Sequence, residues 1–204
     1  MAELGPVDGW PPAPIRTERL ALREPEARDR AVIIELNASA EVRAYLGGPQ
    51  PRDELERAVP AEPRRRPGLF VVDLDGAMIG VVTLDRRDAE RRGHVAPEGE
   101  EVELGYLFLP SAWGRGYAAE ACAAVIAWSD EALPGEPLVL CTQTANVSSL
   151  RLAQKLGFVE VARLVEFGAE QWFGVRWPKS SGSLVDVAAR PSARPRPDPC
   201  HLSC

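Results

Sequence analysis

Two glycines one residue apart, Gly114 and Gly116, stand at the mouth of an alanine-rich apolar run, "WGRGYAAEACAAVIAW", from Trp113 to Trp128. The first N–H groups of a helix have no partner within it, and the helix dipole adds about 0.3–1 kcal/mol in favour of an anion placed there. With no Cβ at 114 and 116, the chain can approach a phosphate closely. Arg115, between them, adds charge at the rim. The chemistry is phosphate recognition. The motif alone leaves open a dinucleotide, a nucleoside triphosphate or coenzyme A.

The elements that must position this turn alternate along the chain. "RLALRE" (Arg19–Glu24) reads as a short strand, and "EARDRAVIIELNA" as a helix with Val32, Ile33 and Leu36 at helical spacing. The charged segment Ser39–Ala58, broken at Gly47-Gly48-Pro49, carries one or two short helices. "LFVVDLDGAMIGVVTLD" is a strand pair turning at Asp75-Gly76. "EVELGYLFL" is a strand, the quoted stretch the central helix, and "PLVLCTQ" a buried strand. "NVSSLRLAQKLG" is a short helix ended by Gly157, and "FVEVARLVEFG" with "EQWFGVRW" closes the fold as a strand pair. The order β-α-α-β-β-β-α-β-α-β-β predicts one α/β domain with a mixed (α+β) sheet over residues 15–178. Residues 1–14 are expected as an irregular leader that wraps the surface without forming an element. Residues 179–204, proline-rich and without period, are expected as a mobile tail.

A Walker loop is absent, since nothing matches G-x-x-x-x-G-K-[ST]. Gly114-Arg115-Gly116-Tyr117-Ala118-Ala119 fits the dinucleotide fingerprint, but that motif also needs an acidic residue ending the next strand. Here "LVLCTQ" ends in Thr142 and Gln143. The segment "WGRGYA" resembles the acyl-coenzyme A signature of the GNAT acetyltransferases, Q/R-x-x-G-x-G/A, with Trp113 first and Gly116 and Ala118 in the last two places. Tryptophan departs from the general signature and is similar to the Rim-type N-terminal acetyltransferase branch. "RTERLALRE", "VELGYLFLP" and "NVSSLRLAQKLGF" resemble further segments of that branch, so the likeness runs from about Arg16 to Pro178.

The resemblance implies a GNAT-like single domain with splayed parallel strands, acetyl-CoA as cofactor, and transfer of acetyl to an amine. It places the coenzyme on Trp113, Gly114, Arg115, Gly116, Tyr117, Ala118 and Ala119. The backbone of Leu107, Phe108 and Leu109 would run along the pantetheine, with Asn146 and Ser149 near its thiol end. Asn146 has a competing role as N-cap of the short helix. Many members carry a tyrosine acid at the position of Ala153, so protonation of the leaving thiolate falls to Ser149, to water or to no specific group. For a base, strand alternation puts Glu101, Glu103 and Gly105 on one face. Glu103 is the candidate, direct or through a water; the competing reading is a solvent-facing strand glutamate. Neutralising a lysine amine at pH 7 costs about 4.6 kcal/mol, an α-amine about 1 kcal/mol. A weak carboxylate base therefore suits a low-pKa amine: an N-terminal α-amine, or a small amine such as an aminoglycoside. A larger acyl group such as succinyl, or a non-catalytic acyl-CoA sensor, stays open.

Composition sets the outer limits. The chain has 204 residues, 45% hydrophobic and 26% charged, and a net charge of −6. That balance argues against nucleic acid as partner, because phosphate-backbone binding needs a basic face. No apolar run suits a membrane span and no secretory signal opens the chain, which together predict a cytoplasmic protein. Cys122 and Cys141 read as buried thiols. Cys200, His201 and Cys204 make a poor metal site. Arg64–Arg66, Arg86–Arg87 and Arg91–Arg92 read as solvated loops, with a phosphate or acidic-ligand contact as the competing reading, and His94 as exposed. Trp172 and Trp177 either line an acceptor pocket or pack the core. Homodimerisation is left open.

Overall fold

The computed structural model describes residues 2–96 and 99–178; the expected tail, with Cys200, His201 and Cys204, lies outside them. Among the described residues, nine strands form one sheet. They are β1 (Ala2–Glu3), β2 (Ile15–Arg16), β3 (Ala21–Arg23), β4 (Leu69–Leu74), β5 (Ala77–Arg86), β6 (Val102–Phe108), β7 (Leu138–Gln143), β8 (Val159–Glu166) and β9 (Ala169–Arg176). Their order is β2-β3-β4-β5-β6-β7-β9-β8, with β1 added beside the end of β5. Helices α1 (Arg30–Ala38), α2 (Arg52–Ala58), α3 (Tyr117–Ala132) and α4 (Val147–Lys155) complete the fold.

Alternation divides the sheet into two faces. Phe70 and Val72 of β4, Val82 and Leu84 of β5 and Val102 and Leu104 of β6 pack with Ala121, Cys122, Val125 and Ile126 of α3. The intervening Val71, Val81 and Leu107 turn to the opposite face, where Leu36 of α1 joins them. The hairpin between β4 and β5 turns where expected, with φ 53° at Asp75 and 86° at Gly76, the positive-φ pair that matches strand twist.

The leader departs from expectation. Ala2 and Glu3 pair with Arg86 and Asp85, and Leu4 is buried in the core. Trp10 meets Phe70 edge-on at 5.2 Å and Trp128 at 5.6 Å. The Gly- and Pro-rich composition signalled turns correctly, but gave no sign that one apolar ring and a two-residue strand would be captured by surface the sheet leaves uncovered.

Candidate active site

The sheet opens at its one parallel pair among the described residues. β6 and β7 are joined only at Val102–Leu138 and Glu103–Val139, although β6 runs on to Phe108 and β7 to Gln143. On the far side β6 stays zipped to β5 from Arg86–Val102 to Gly80–Phe108. Leu109 donates its N–H to Ile79. Antiparallel pairing alternates along a strand, so Leu107 also turns its N–H toward β5, and the N–H groups of Tyr106 and Phe108 face the side from which β7 has departed.

Beyond β6 the chain makes one 3-10 turn, Pro110–Ala112, and reaches the two glycines. Both have left-handed backbones, Gly114 at φ 73° and Gly116 at φ 81°, which bare residues adopt without strain. Gly116 is the N-cap of α3, and no side chain caps that end. The first helical bond runs from Glu120 N to the Gly116 carbonyl, so the N–H groups of Tyr117, Ala118 and Ala119 have no intrahelical acceptor. Trp113 explains itself here: its indole N–H donates to the Phe108 carbonyl at 2.9 Å, tying the glycine turn to the end of β6.

A clamp that the sequence reading missed fixes the same corner. Glu120, in the first turn of α3, accepts from Thr17 Oγ1 at 2.5 Å, from the Arg19 N–H at 2.9 Å and from Arg19 Nε at 2.7 Å. Burial alone would raise the Glu120 carboxyl, but these donors outweigh it and hold its pKa below the usual range. Arg19 also donates to the Arg115 carbonyl at 3.0 Å and lies 4.6 Å over the Tyr117 ring. The negative charge at this helix start is thereby met by Arg19. "RTERL" and "YAAEA" were visible as separate segments; their pairing across about a hundred residues was not.

Across the fork, α4 starts at Asn146, whose side-chain oxygen accepts the Ser149 N–H at 3.2 Å. The capping role is therefore met. Ser149 and Asn146 are half-buried, while Ala153 is fully buried.

On the opposite face, Glu103 is buried, correcting the solvent-facing alternative. Its Oε2 accepts from Arg87 at 2.8 Å and from Arg91 at 3.2 Å. Arg87 is itself buried, its guanidinium 4.9 Å from the Phe173 ring and donating to the Gly93 carbonyl at 2.8 Å. The expectation that this arginine is solvated in a loop fails because Glu103, Phe173 and two carbonyls together replace its water. Arg91 reaches Glu166 at 2.6 Å. His94, expected in solvent, is half-buried and meets Glu101 at 2.8 Å. Burial would raise Glu101, but hydrogen bonds from Ala96, His94 and Val95 hold its carboxyl below the usual range. Trp172 packs in the core, whereas Trp177 is 44% exposed. Gln143, at the end of β7, donates to the Tyr45 carbonyl at 3.1 Å, joining the fork to the segment after α1.

Parted parallel strands beside an uncapped helix start leave main-chain N–H groups unpaired on two sides of one opening. A family model described as "Acetyltransferase (GNAT) domain" matches residues 19–159. The L-amino acid N-acetyltransferase AaaT of Escherichia coli (strain K12) is 29% identical over 143 residues, covering 68% of this chain and 82% of that protein. Among solved structures, a GNAT-family acetyltransferase from Bacillus anthracis superposes with TM-score 0.64 at 19% identity, covering 81% of this chain and 99% of that one. The spermidine N-acetyltransferase from Vibrio cholerae, solved with CoA and spermine, gives TM-score 0.61 at 22% identity, covering 79% and 97%. This chain belongs to the GNAT acetyltransferase family. It is an acyltransferase, and acetyl-CoA is its donor. Among the described residues no helix is long and apolar enough to cross a membrane.

Proposed function

We propose that the protein moves an acetyl group from acetyl-CoA to a primary amine of low basicity, by direct attack in a ternary complex, in the manner of the Rim-type N-terminal acetyltransferases. The observation that carries this reading is the fork between β6 and β7, opening beside the uncapped start of α3. The free N–H groups of the α3 start, with Gly114, Arg115 and Gly116, suit a diphosphate. The main chain of Tyr106 and Phe108, whose N–H groups face the fork, suits the amides of a pantetheine arm, whereas Leu107 and Leu109 turn theirs to β5; Asn146 and Ser149 stand at the arm's inner end. The donor set thus fits coenzyme A along its whole length. When bound, acetyl-CoA supplies an activated acyl carbonyl. The Phe108 N–H, free of β5 by alternation, is the donor for the oxyanion that forms there.

The proton of the attacking amine goes to Glu103, directly or through a water. Arg87 and Arg91 both bind Oε2, so Oε1 is the oxygen left to receive it. An acceptor whose amine is already partly neutral at pH 7 needs little from that base: an α-amine costs about 1 kcal/mol to deprotonate, a lysine-like amine about 4.6 kcal/mol. The amino-acid acetyltransferase relative supports an α-amine acceptor; N-terminal peptides and weakly basic amines of antibiotics share that chemistry. A thiol-release assay with acetyl-CoA tests the reading across free amino acids, N-terminal peptides, spermidine and an aminoglycoside, with succinyl-CoA as a second donor. Release is expected with α-amines or the aminoglycoside. Preference for spermidine, or for succinyl-CoA, overturns it.

A further inference from the structure

Tyr106 lies on β6 three residues past the last pair with β7, on the face that carries α3. Its hydroxyl is the one buried side-chain polar atom among the described residues that has no hydrogen-bond partner. Such an atom is costly, because a buried donor without an acceptor has given up its water and gained nothing in return. Core packing does not explain it, because phenylalanine would fill the same volume without that cost. Burial raises the phenol pKa to about 12, the Ser149 side chain beside it working in the opposite direction. No hydrogen bond of normal geometry joins the two hydroxyls. The other titratable group acting on it is Cys122 of α3, whose thiol burial pushes far up and keeps neutral. The phenol is thus held in its neutral, donating form, between β6 and the start of α4, at the inner end of the fork.

We propose that the Tyr106 hydroxyl is a catalytic hydrogen-bond donor to the sulfur that departs from the acetyl group. The inference rests on the coenzyme A reading above. As the amine nitrogen bonds to the acyl carbon and the C–S bond breaks, the electron pair goes to sulfur and Tyr106 Oη donates its O–H to it. Glu103 takes the proton of the attacking nitrogen and returns it to solvent, while the departing sulfur gains one by way of Oη, Ser149 Oγ or water, so none is consumed. The donor is present before reaction and has no competing partner, which avoids reorganisation at the moment when charge develops.

Tyr106→Phe deletes a single oxygen that bonds to nothing, so the variant is expected to fold, with a melting temperature equal to or above the parent. Its kcat with acetyl-CoA is expected to fall on the order of 10- to 100-fold, with KM for acetyl-CoA little changed. A readout independent of turnover is calorimetric binding of coenzyme A and desulfo-coenzyme A at pH 9.5, where a thiol of ordinary pKa, about 8.5, is mostly thiolate. The parent is expected to prefer coenzyme A on the order of tenfold, and Tyr106→Phe to lose that preference while binding desulfo-coenzyme A as before. If the variant keeps the preference, the proposal is overturned whatever happens to kcat. If the parent binds neither molecule, the coenzyme A reading fails instead.

Discussion

Replacing Gly116 by alanine separates what the protein demands of this position from what the ligand demands. At φ 81° the residue is left-handed, and an alanine there carries about 1–2 kcal/mol of backbone strain. No further cost is expected from packing: an added Cβ meets nothing closer than Arg19 Nη2, at 3.5 Å, an ordinary contact. For a domain of this size 1 kcal/mol corresponds to about 2–4 °C, so the melting temperature should fall by about 2–8 °C. Gly114→Ala is the control, since it has a similar φ of 73° and nothing within 4 Å of its added Cβ. It should lose the same stability. Coenzyme A affinity, measured by calorimetry, is expected to fall in Gly116→Ala by about 10- to 100-fold, the loss of one charge-assisted hydrogen bond from a displaced phosphate. A Kd within threefold of the parent refutes main-chain binding of the diphosphate at this turn. A stability loss well beyond 2 kcal/mol refutes the open-space argument.

Three other perturbations probe the rest of the structure. Glu103→Gln is expected to lower kcat by about 10²-fold or more, with the deficit shrinking as pH rises and the amine loses its proton unaided; equal activity in a pH-rate profile removes Glu103 as base. Asp29 is buried, and although burial raises its carboxyl, donors from Arg23 and the Glu26 N–H hold it below the usual range. Its ionisation therefore contributes stability above the unfolded carboxylate pKa, and that contribution is lost as pH falls through the lower folded value. Asp29→Asn should cost about 3 kcal/mol at pH 7, and in denaturant titrations its difference from the parent should narrow under acid; a constant difference contradicts the ion pair. Trp10→Ala should cost about 2–3 kcal/mol through loss of its contacts with Phe70 and Trp128. No change in melting would mean that the leader does not hold the sheet.

Local signals were strong where one short segment carries both the pattern and the reason for it. The Asp75-Gly76 turn, the helix end at Gly157 and the Asn146 cap each depend on residues a few positions apart. The charged loop between β5 and β6 was misread for the opposite reason. Arg87 and His94 look like solvent-facing residues in isolation, and only Phe173, Glu103 and Glu101, brought from other strands, bury them. The same holds for Tyr106, whose hydroxyl is left without a partner by the elements packed around it, far apart in the chain.

By itself, the sequence determined the element order, the glycine turn before the alanine helix, and the absence of an acidic ribose partner after β7, because periodicity and backbone permissiveness act over a few residues. The tertiary structure alone decided where β6 and β7 part, which carboxylate meets which guanidinium, and that Thr17 and Arg19 hold the start of α3. Those outcomes depend on strand register and desolvation, which are properties of segments distant in the chain and joined only when the sheet forms.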